Sequence, residues 1–313
     1  MEAVLECCCG LDVHRDTVVA CVLRGSREGK TESITKTFAT LPNDLEELRK
    51  WLENMQCRHA AMESTGVYWQ PVQQALEGAF DSTLVLLVVN ARHMRNVPGH
   101  KTDMKDAEWI ATLLRAGLLK GSFIPSRLVR DLRDFTRYRK TQVETIASQK
   151  NRIEKLLQSA GIKLSTFLSD VFGVSGRAIL EVLAKDGRVE PQKVMGLLKK
   201  RLKVKHDEVS LALVGYLSNP QQRLLTMELT QLQSMEEHLL SIEKEIQLQL
   251  QQFKSQVDLL DGIPGIDIVG AATILGEIGA DLSSFPSAQH LCSWAGLAPG
   301  NHESAGKKSP FEP

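Results

Sequence analysis

The sequence predicts a mixed α/β domain, followed by an all-α coiled-coil region and a small helical C-terminal domain. Three observations carry this. Short β-branched and apolar runs alternate with amphipathic helical patterns early in the chain. Two long stretches, 127–160 and 222–258, then hold few helix breakers. From Leu259 onward, glycine-rich turns separate short helices. The boundaries read as 1–125, 126–258 and 259–313.

The elements follow in order. Leu5–Val13 and Thr17–Leu23 are apolar runs joined by His14-Arg15-Asp16, which predicts a hairpin. Thr31–Ala39 is a third strand. Pro42-Asn43-Asp44 opens a helix with apolar residues at Leu45, Leu48, Trp51, Leu52 and Met55. His59–Met62 is a short strand ending at Glu63, and Thr65-Gly66 leads into a helix carrying Val67, Val72, Ala75 and Leu76. Leu84–Val89 is a continuous apolar strand, and Thr102 is a fair N-cap for a helix from Asp103 to about Ala116. A hairpin-led sheet with later alternation of helix and strand implies mixed pairing. In the second long stretch Leu225, Leu232, Leu239, Ile246 and Phe253 recur every seven residues, with Met235 and Ile242 on the partner seam. That periodicity predicts a coiled coil or a long antiparallel arm, imperfect where Glu228 and Gln249 fall on the seam. Residues 164–220 read as smaller helices. Helices over Val269–Ile278 and about Ala288–Ala295 complete the pattern.

With 42% hydrophobic residues the chain is globular rather than disordered, collagenous or a disulfide miniprotein. No apolar run reaches membrane-spanning length, and no leader pattern opens the chain, so a cytoplasmic protein without a membrane partner is expected. The adjacent Cys7, Cys8 and Cys9 lie in an apolar run and read as strand, because neighbouring strand residues point to opposite faces. The 38 basic and 38 acidic side chains balance overall but are segregated. Residues 88–163 hold 16 basic against 7 acidic side chains. Such a run reads either as a solvated helix face or as a phosphate-backbone footprint. Lys199-Lys200-Arg201-Leu202-Lys203-Val204-Lys205 is a second basic cluster with the same two readings.

Three features carry chemistry. Asp12 and Glu63 end the first and fourth strands, which neighbour each other in a sheet of this order, and Asp103 and Asp106 open a helix on one face. Any one of these acids alone reads as a surface or capping residue. Four that converge repel unless a cation sits among them, and hard oxygen donors select Mg²⁺ or Mn²⁺. Two such ions about 4 Å apart clamp the attacking and leaving oxygens of a phosphodiester. Asp16 and His14, in the hairpin link, are weaker candidates, His14 reading as simply exposed. The second feature, Gly262-Ile-Pro-Gly-Ile-Asp-Ile-Val-Gly-Ala-Ala, resembles a helix-hairpin-helix element that offers backbone N–H groups to phosphates. An ordinary glycine-rich turn between packed helices is the alternative. The third is Ser304, in a glycine-rich loop beside Lys307 and Lys308. Composition alone gives no reason to choose it.

The motifs Gly10-Leu-Asp-Val-His-Arg-Asp, Met62-Glu-Ser-Thr-Gly-Val-Tyr-Trp and Lys101-Thr-Asp-Met-Lys-Asp-Ala resemble the N-terminal domain of transposases of the insertion-sequence one-hundred-ten family, to which Piv-type DNA invertases are related. Asp261-Gly-Ile-Pro-Gly-Ile and Ala295-Gly-Leu-Ala-Pro-Gly…Ser304-Ala-Gly-Lys resemble the same family's C-terminal domain. The resemblance implies an RNase H-like (RuvC-like) fold whose DEDD tetrad falls on Asp12, Glu63, Asp103 and Asp106, holding Mg²⁺ or Mn²⁺. It implies Ser304 as a nucleophile that links covalently to DNA, donor and target DNA as substrates, and a structured noncoding guide RNA (the bridge RNA) as partner. It further implies a nucleoid-associated bacterial or archaeal protein, and a homodimer joined through the coiled coil and assembling to a tetramer. Family members continue past the serine loop, whereas this sequence reaches Pro313 nine residues after Ser304, so a partial transposase domain is expected. The reading is a Mg²⁺-dependent, RNA-guided DNA recombinase. Its rivals are a RuvC-like junction-resolving nuclease, in which water attacks, and a catalytically silent nucleic-acid-binding remnant.

Overall fold

The computed structural model describes residues 3–64, 66–77, 79–90, 94, 106–198, 206–297, 303–304 and 307–308. The chain divides into two compact units, Met1–Ile124 and Pro125–Pro313. No helix among the described residues is long and apolar enough to cross a membrane.

The first unit holds a five-stranded sheet. Its strands are β1 (Cys7–Val13), β2 (Thr17–Arg24), β3 (Glu32–Ala39), β4 (His59–Glu63) and β5 (Val85–Val89), in the spatial order β3-β2-β1-β4-β5. β1, β2 and β3 pair antiparallel, while β4 and β5 join parallel to β1 and to each other. The sheet is therefore mixed, as the order of elements predicts. The hairpin closes as His14 N–H donates to Thr17 O at 2.9 Å. β4 ends at Glu63, as the sequence predicts, and Glu63 pairs with Val89.

Each face of the sheet has its own core. On one side Cys9, Leu11, Val18, Ala20, Met62 and Val88 pack with Leu45, Leu48 and Leu52 of helix α1 (Pro42–Asn54) and Val72 and Leu76 of α2 (Trp69–Leu76). On the other, Cys8, Cys21, Leu23, Ala61 and Val89 meet Ala107, Ile110, Ala111 and Leu114 of α3 (Asp106–Arg115). Cys8 and Cys9 therefore point to opposite faces, as strand alternation requires. Burial pushes the Cys8 thiol up to about 12 and that of Cys9 well above its ordinary value. Both stay protonated and act as small apolar side chains rather than metal ligands.

Two devices seat α3. Gly10 faces it, and a Cβ at that position would lie 2.0 Å from Ala107 O and 2.4 Å from Ala111 N. Only glycine lets the helix backbone lie on β1 this closely. At the far end the buried Arg115 donates to Leu5 O at 3.1 Å, Gly25 O at 3.2 Å and Ser26 O at 2.9 Å, and also to Thr31 Oγ1. Its guanidinium ties the start of β1 to the β2–β3 turn. α3 thus runs antiparallel to β1, with its N-terminus over the C-terminal end of the strand.

The second unit is helical. α4 (Arg127–Ser159) and α8 (Asn219–Leu250) form a long antiparallel pair, with α5 (Val174–Asp186), α6 (Pro191–Leu197) and α7 (His206–Ala212) packed where the pair joins. The heptad seam of α8 is filled from within the chain. Leu225 and Leu232 meet Ile146, Ile153 and Leu157 of α4, and Ile242, Ile246 and Leu250 meet Val129 and Leu132. Each such buried side chain contributes about 1.5–3 kcal/mol. Partly exposed pairs such as Arg139–Glu243, at 2.7 Å, add about 0–1 kcal/mol. The seam therefore holds the arm. Its break at Glu228 is explained by the buried Gln149 of α4, whose amide donates to the Glu228 carboxylate and, at 3.1 Å, to Glu228 O. At Gln249 the buried Oε1 has no hydrogen-bond partner among the described residues, for which the structure offers no reason. The helix also ends earlier than the heptads predict: a 3₁₀ turn at Gln251–Phe253 separates α8 from α9 (Lys254–Asp261).

α10 (Ile268–Ile278) lies on the first half of α4 through a small-residue face of Ala272 and Gly276. Two arginines of α4 fasten it. Arg133 donates to the carbonyls of Gly276 and Glu277, both at 2.8 Å, and Arg137 grips the Glu277 carboxylate through two bonds of 2.7 and 2.8 Å. α11 (Ala288–Trp294) follows, and a two-stranded ladder pairs β6 (Glu303–Ser304) with β7 (Lys307–Lys308).

Two outcomes follow. Gly10→Ala should destabilise the chain by about 1–3 kcal/mol through overpacking, whereas Gly196→Ala, where an added Cβ meets nothing within 4 Å, should not; chemical denaturation of both variants checks this. The second concerns pH. Arg137, more than Arg133, holds the Glu277 carboxyl below its ordinary 4.5, so the ionised form stabilises the fold above that pH and the contribution is lost as pH falls further. The Tm gap between wild type and Glu277→Gln should be steady from about pH 8 to 6 and shrink below about 4.5, read by thermal melts across pH.

Candidate active site

Alternation along β1 and β4 decides where the acids point. Leu11 and Met62 are register partners that share the α1–α2 core, so Asp12 and Glu63, one residue on, emerge side by side on the α3 face. Asp106 opens α3 at the same end of the sheet, because Ala107 is seated over Gly10. Both Asp12 and Glu63 are half-buried, and Asp106 is exposed. Asp103 and its proposed cap Thr102 lie outside the described residues. Among the described residues no three His, Cys, Asp or Glu side chains are close enough to share one ion. Sheet topology therefore brings Asp12 and Glu63 together, with the first turn of α3 at their end. It does not by itself complete a coordination shell.

His14 is more than an exposed loop residue. Its Nε2 lies 3.2 Å from Asp12 Oδ2, with His14 60% and Asp12 24% exposed. The signal was present in the sequence as the Asp-Val-His spacing, since residues two apart on an extended backbone share a face. Asp16 instead pairs with its neighbour Arg15 at 3.0 Å, on the surface.

Ser304 lies in β6 and is the register partner of Lys307. The glycine-rich loop expected here therefore contains paired backbone on both sides of its centre. The helix-hairpin-helix-like turn is present between α9 and α10, but its phosphate-binding reading meets an obstacle. The Asp267 carboxylate caps α10, accepting from Gly270 N–H at 2.7 Å. A phosphate would have to compete with that acid for the helix N-terminus.

The basic run also changes meaning. Arg115, Arg133, Arg137 and Arg139 spend their guanidinium groups on contacts inside the fold. Arg127, Lys140 and Lys155 remain on exposed faces of α4.

Residues 9–162 match the family model for DEDD transposases of the IS110 type, and residues 257–311 match that of the transposase IS116/IS110/IS902 family. The chain belongs to this transposase family. The first match contains Asp12, Glu63, Asp103 and Asp106, and the second contains Ser304. None of the curated proteins matches the transposase. Two solved structures are similar to part of it. The Thermus thermophilus RuvC structure shows 12% identity and a TM-score of 0.28, covering 37% of this chain and 99% of that one. T. thermophilus RuvC in complex with Holliday junction substrate shows 14% identity and a TM-score of 0.30, covering 38% of this chain and 100% of that one.

Proposed function

We propose that this transposase is a divalent-cation-dependent DNA recombinase that exchanges strands through a phosphoserine at Ser304, directed by a structured guide RNA. The observation that carries the reading is that Asp12 and Glu63 each follow the Leu11–Met62 register pair at neighbouring strand ends, in a chain that also holds the family's serine-bearing segment. The donor set fits a hard cation: carboxylate oxygens from Asp12 and Glu63, with Asp106 at the same end and Asp103 completing the proposed tetrad. A bound Mg²⁺ or Mn²⁺ would neutralise charge on the scissile phosphate.

The chain's own residues then have these roles. Asp12 and Glu63 would hold the cation, each carried on the end of a strand of the sheet. The Ser304 hydroxyl attacks phosphorus, a Ser–O–P bond forms, the P–O bond to the 3′-oxygen breaks, and that oxygen leaves as a 3′-hydroxyl carrying the proton. A 3′-hydroxyl of the exchanging strand reverses the step and frees Ser304. One phosphodiester is traded for another, so no ATP is consumed. Lys307, the register partner of Ser304, brings a positive charge to the same hairpin. Donor and target DNA are the substrates, and two subunits or more combine their sheet and serine segments.

Incubation with donor DNA, guide RNA and Mg²⁺ should give a protein–DNA adduct on denaturing gels. Ser304→Ala should lower adduct formation by at least about a thousandfold while DNA binding persists. Cleavage that survives Ser304→Ala but is lost in Asp12→Ala would make the chain a nuclease in which water attacks, and binding without cleavage would make it a silent remnant. For the metal, MnCl₂ at about 100 times its Kd should stabilise the wild type by about 2.7 kcal/mol. Asp12→Asn and Glu63→Gln should each lose that rise in Tm, and an undiminished rise would remove both from the cation site.

A further inference from the structure

Asp12 has a nitrogen beside it. His14 Nε2 lies 3.2 Å from Asp12 Oδ2, at the strand end next to that of Glu63. We propose that His14 is a ligand, together with Asp12, of the cation in the acidic site, and that its nitrogen selects Mn²⁺ over Mg²⁺. The proposal rests on the reading of Asp12 as a cation ligand and is independent of Ser304 and of the guide RNA.

Spacing is the first argument. Two donors side by side on one octahedral ion, each about 2.1 Å from it, stand about 3 Å apart. The His14 nitrogen and the Asp12 oxygen are already near that separation. The backbone fixes both residues. Asp12 is held in β1 opposite Val19. His14 N–H donates to Thr17 O at 2.9 Å, so the hairpin closes at the histidine itself. The rest of the link is tied to the residue after β3: Thr40 Oγ1 donates to Arg15 O at 2.8 Å, and Thr40 N–H to Asp16 O at 3.2 Å. Arg15 and Asp16 pair with each other. Donors carried on a fixed backbone lose little freedom when an ion joins them.

Chemistry is the second. An ordinary ion pair is the alternative, but with His14 60% and Asp12 24% exposed such a contact contributes only about 0–1 kcal/mol. It does little for the fold, and what it does is present one nitrogen and one oxygen donor to the same solvent-accessible opening. No third donor among the described residues is close enough to join the pair, and both ions accept water in their remaining positions. Mg²⁺ favours oxygen and gives up its water reluctantly, whereas imidazole suits first-row transition ions. Mn²⁺ is the ion among these that carboxylates also suit. A nitrogen next to Asp12 therefore tips a site that carboxylates alone leave open to either ion.

The test uses the full chain, freed of metal and titrated with MnCl₂ and with MgCl₂ by calorimetry, and electron spin-echo spectroscopy of the Mn²⁺-loaded protein. The wild type should bind Mn²⁺ more tightly than Mg²⁺, and its echo should carry the modulation of a directly bound nitrogen nucleus. His14→Ala should abolish that modulation and weaken Mn²⁺ binding about tenfold, while Mg²⁺ affinity and the Tm of the metal-free chain stay as in the wild type. His14→Gln, which offers an oxygen at similar reach, should lose the modulation and the preference for Mn²⁺ but keep Mg²⁺ binding. Mn²⁺ binding without nitrogen modulation, or modulation that persists in His14→Ala, overturns the proposal and leaves the acidic site standing. Equal losses of Mn²⁺ and Mg²⁺ affinity in His14→Ala also overturn it, since His14 would then support Asp12 without selecting the ion. A chain that binds neither ion overturns both this proposal and the cation-dependent reading on which it rests.

Discussion

The seating of α3 on β1 through Gly10 is the constraint on which the acidic site depends. Strand alternation alone sends Asp12 and Glu63 to one face of the sheet. What gives them company is a helix whose backbone rests on the strand and whose N-terminus lies over the strand end. A side chain at position 10 would lift that helix and carry Asp106 away from the two strand acids. Arg115 supplies the matching constraint at the other end, so the direction of α3 is fixed twice. The carboxylates are few and partly exposed; the precision comes from apolar and backbone contacts that have no chemistry of their own.

The same division of labour runs through the second unit. A count of charges leaves residues 88–163 open to a polyanion or to a solvated helix face, yet several of the arginines are fastenings within the fold. Arg133 and Arg137 bind the C-terminal end of α10, and Gly276 allows the close approach. These contacts attach the section that leads to Ser304 to the arm rather than to a ligand. Basic residues that do face solvent are spread along α4, which makes them suited to nonspecific contact and poorly suited to recognising a sequence.

Much of the fold was legible in the sequence because its signals are local. The hairpin, the alternating helices and strands, the long helices and the heptad seam each follow from spacing within a few residues. The helix boundary that moved did so for a tertiary reason: α8 stops where Phe253 turns into a buried cluster. The site was legible only in part. Asp12 and Glu63 could be placed from strand order and parity. The His14–Asp12 contact is implicit in their spacing but needed a turn geometry to become real. Asp267 as the occupant of its own helix cap lies within three residues of its partner, whereas Gln149 as the answer to Glu228 involves a partner distant in sequence that no short window contains.

The internally filled seam of α8 has a consequence for how copies of this chain would come together. An exposed heptad stripe waits for another molecule and folds only as it docks. Here Leu225, Leu232, Ile242 and Ile246 are already covered by α4. The arm is already a finished helix pair, so any assembly of copies through it would be set by collision and orientation rather than by ordering of the helix.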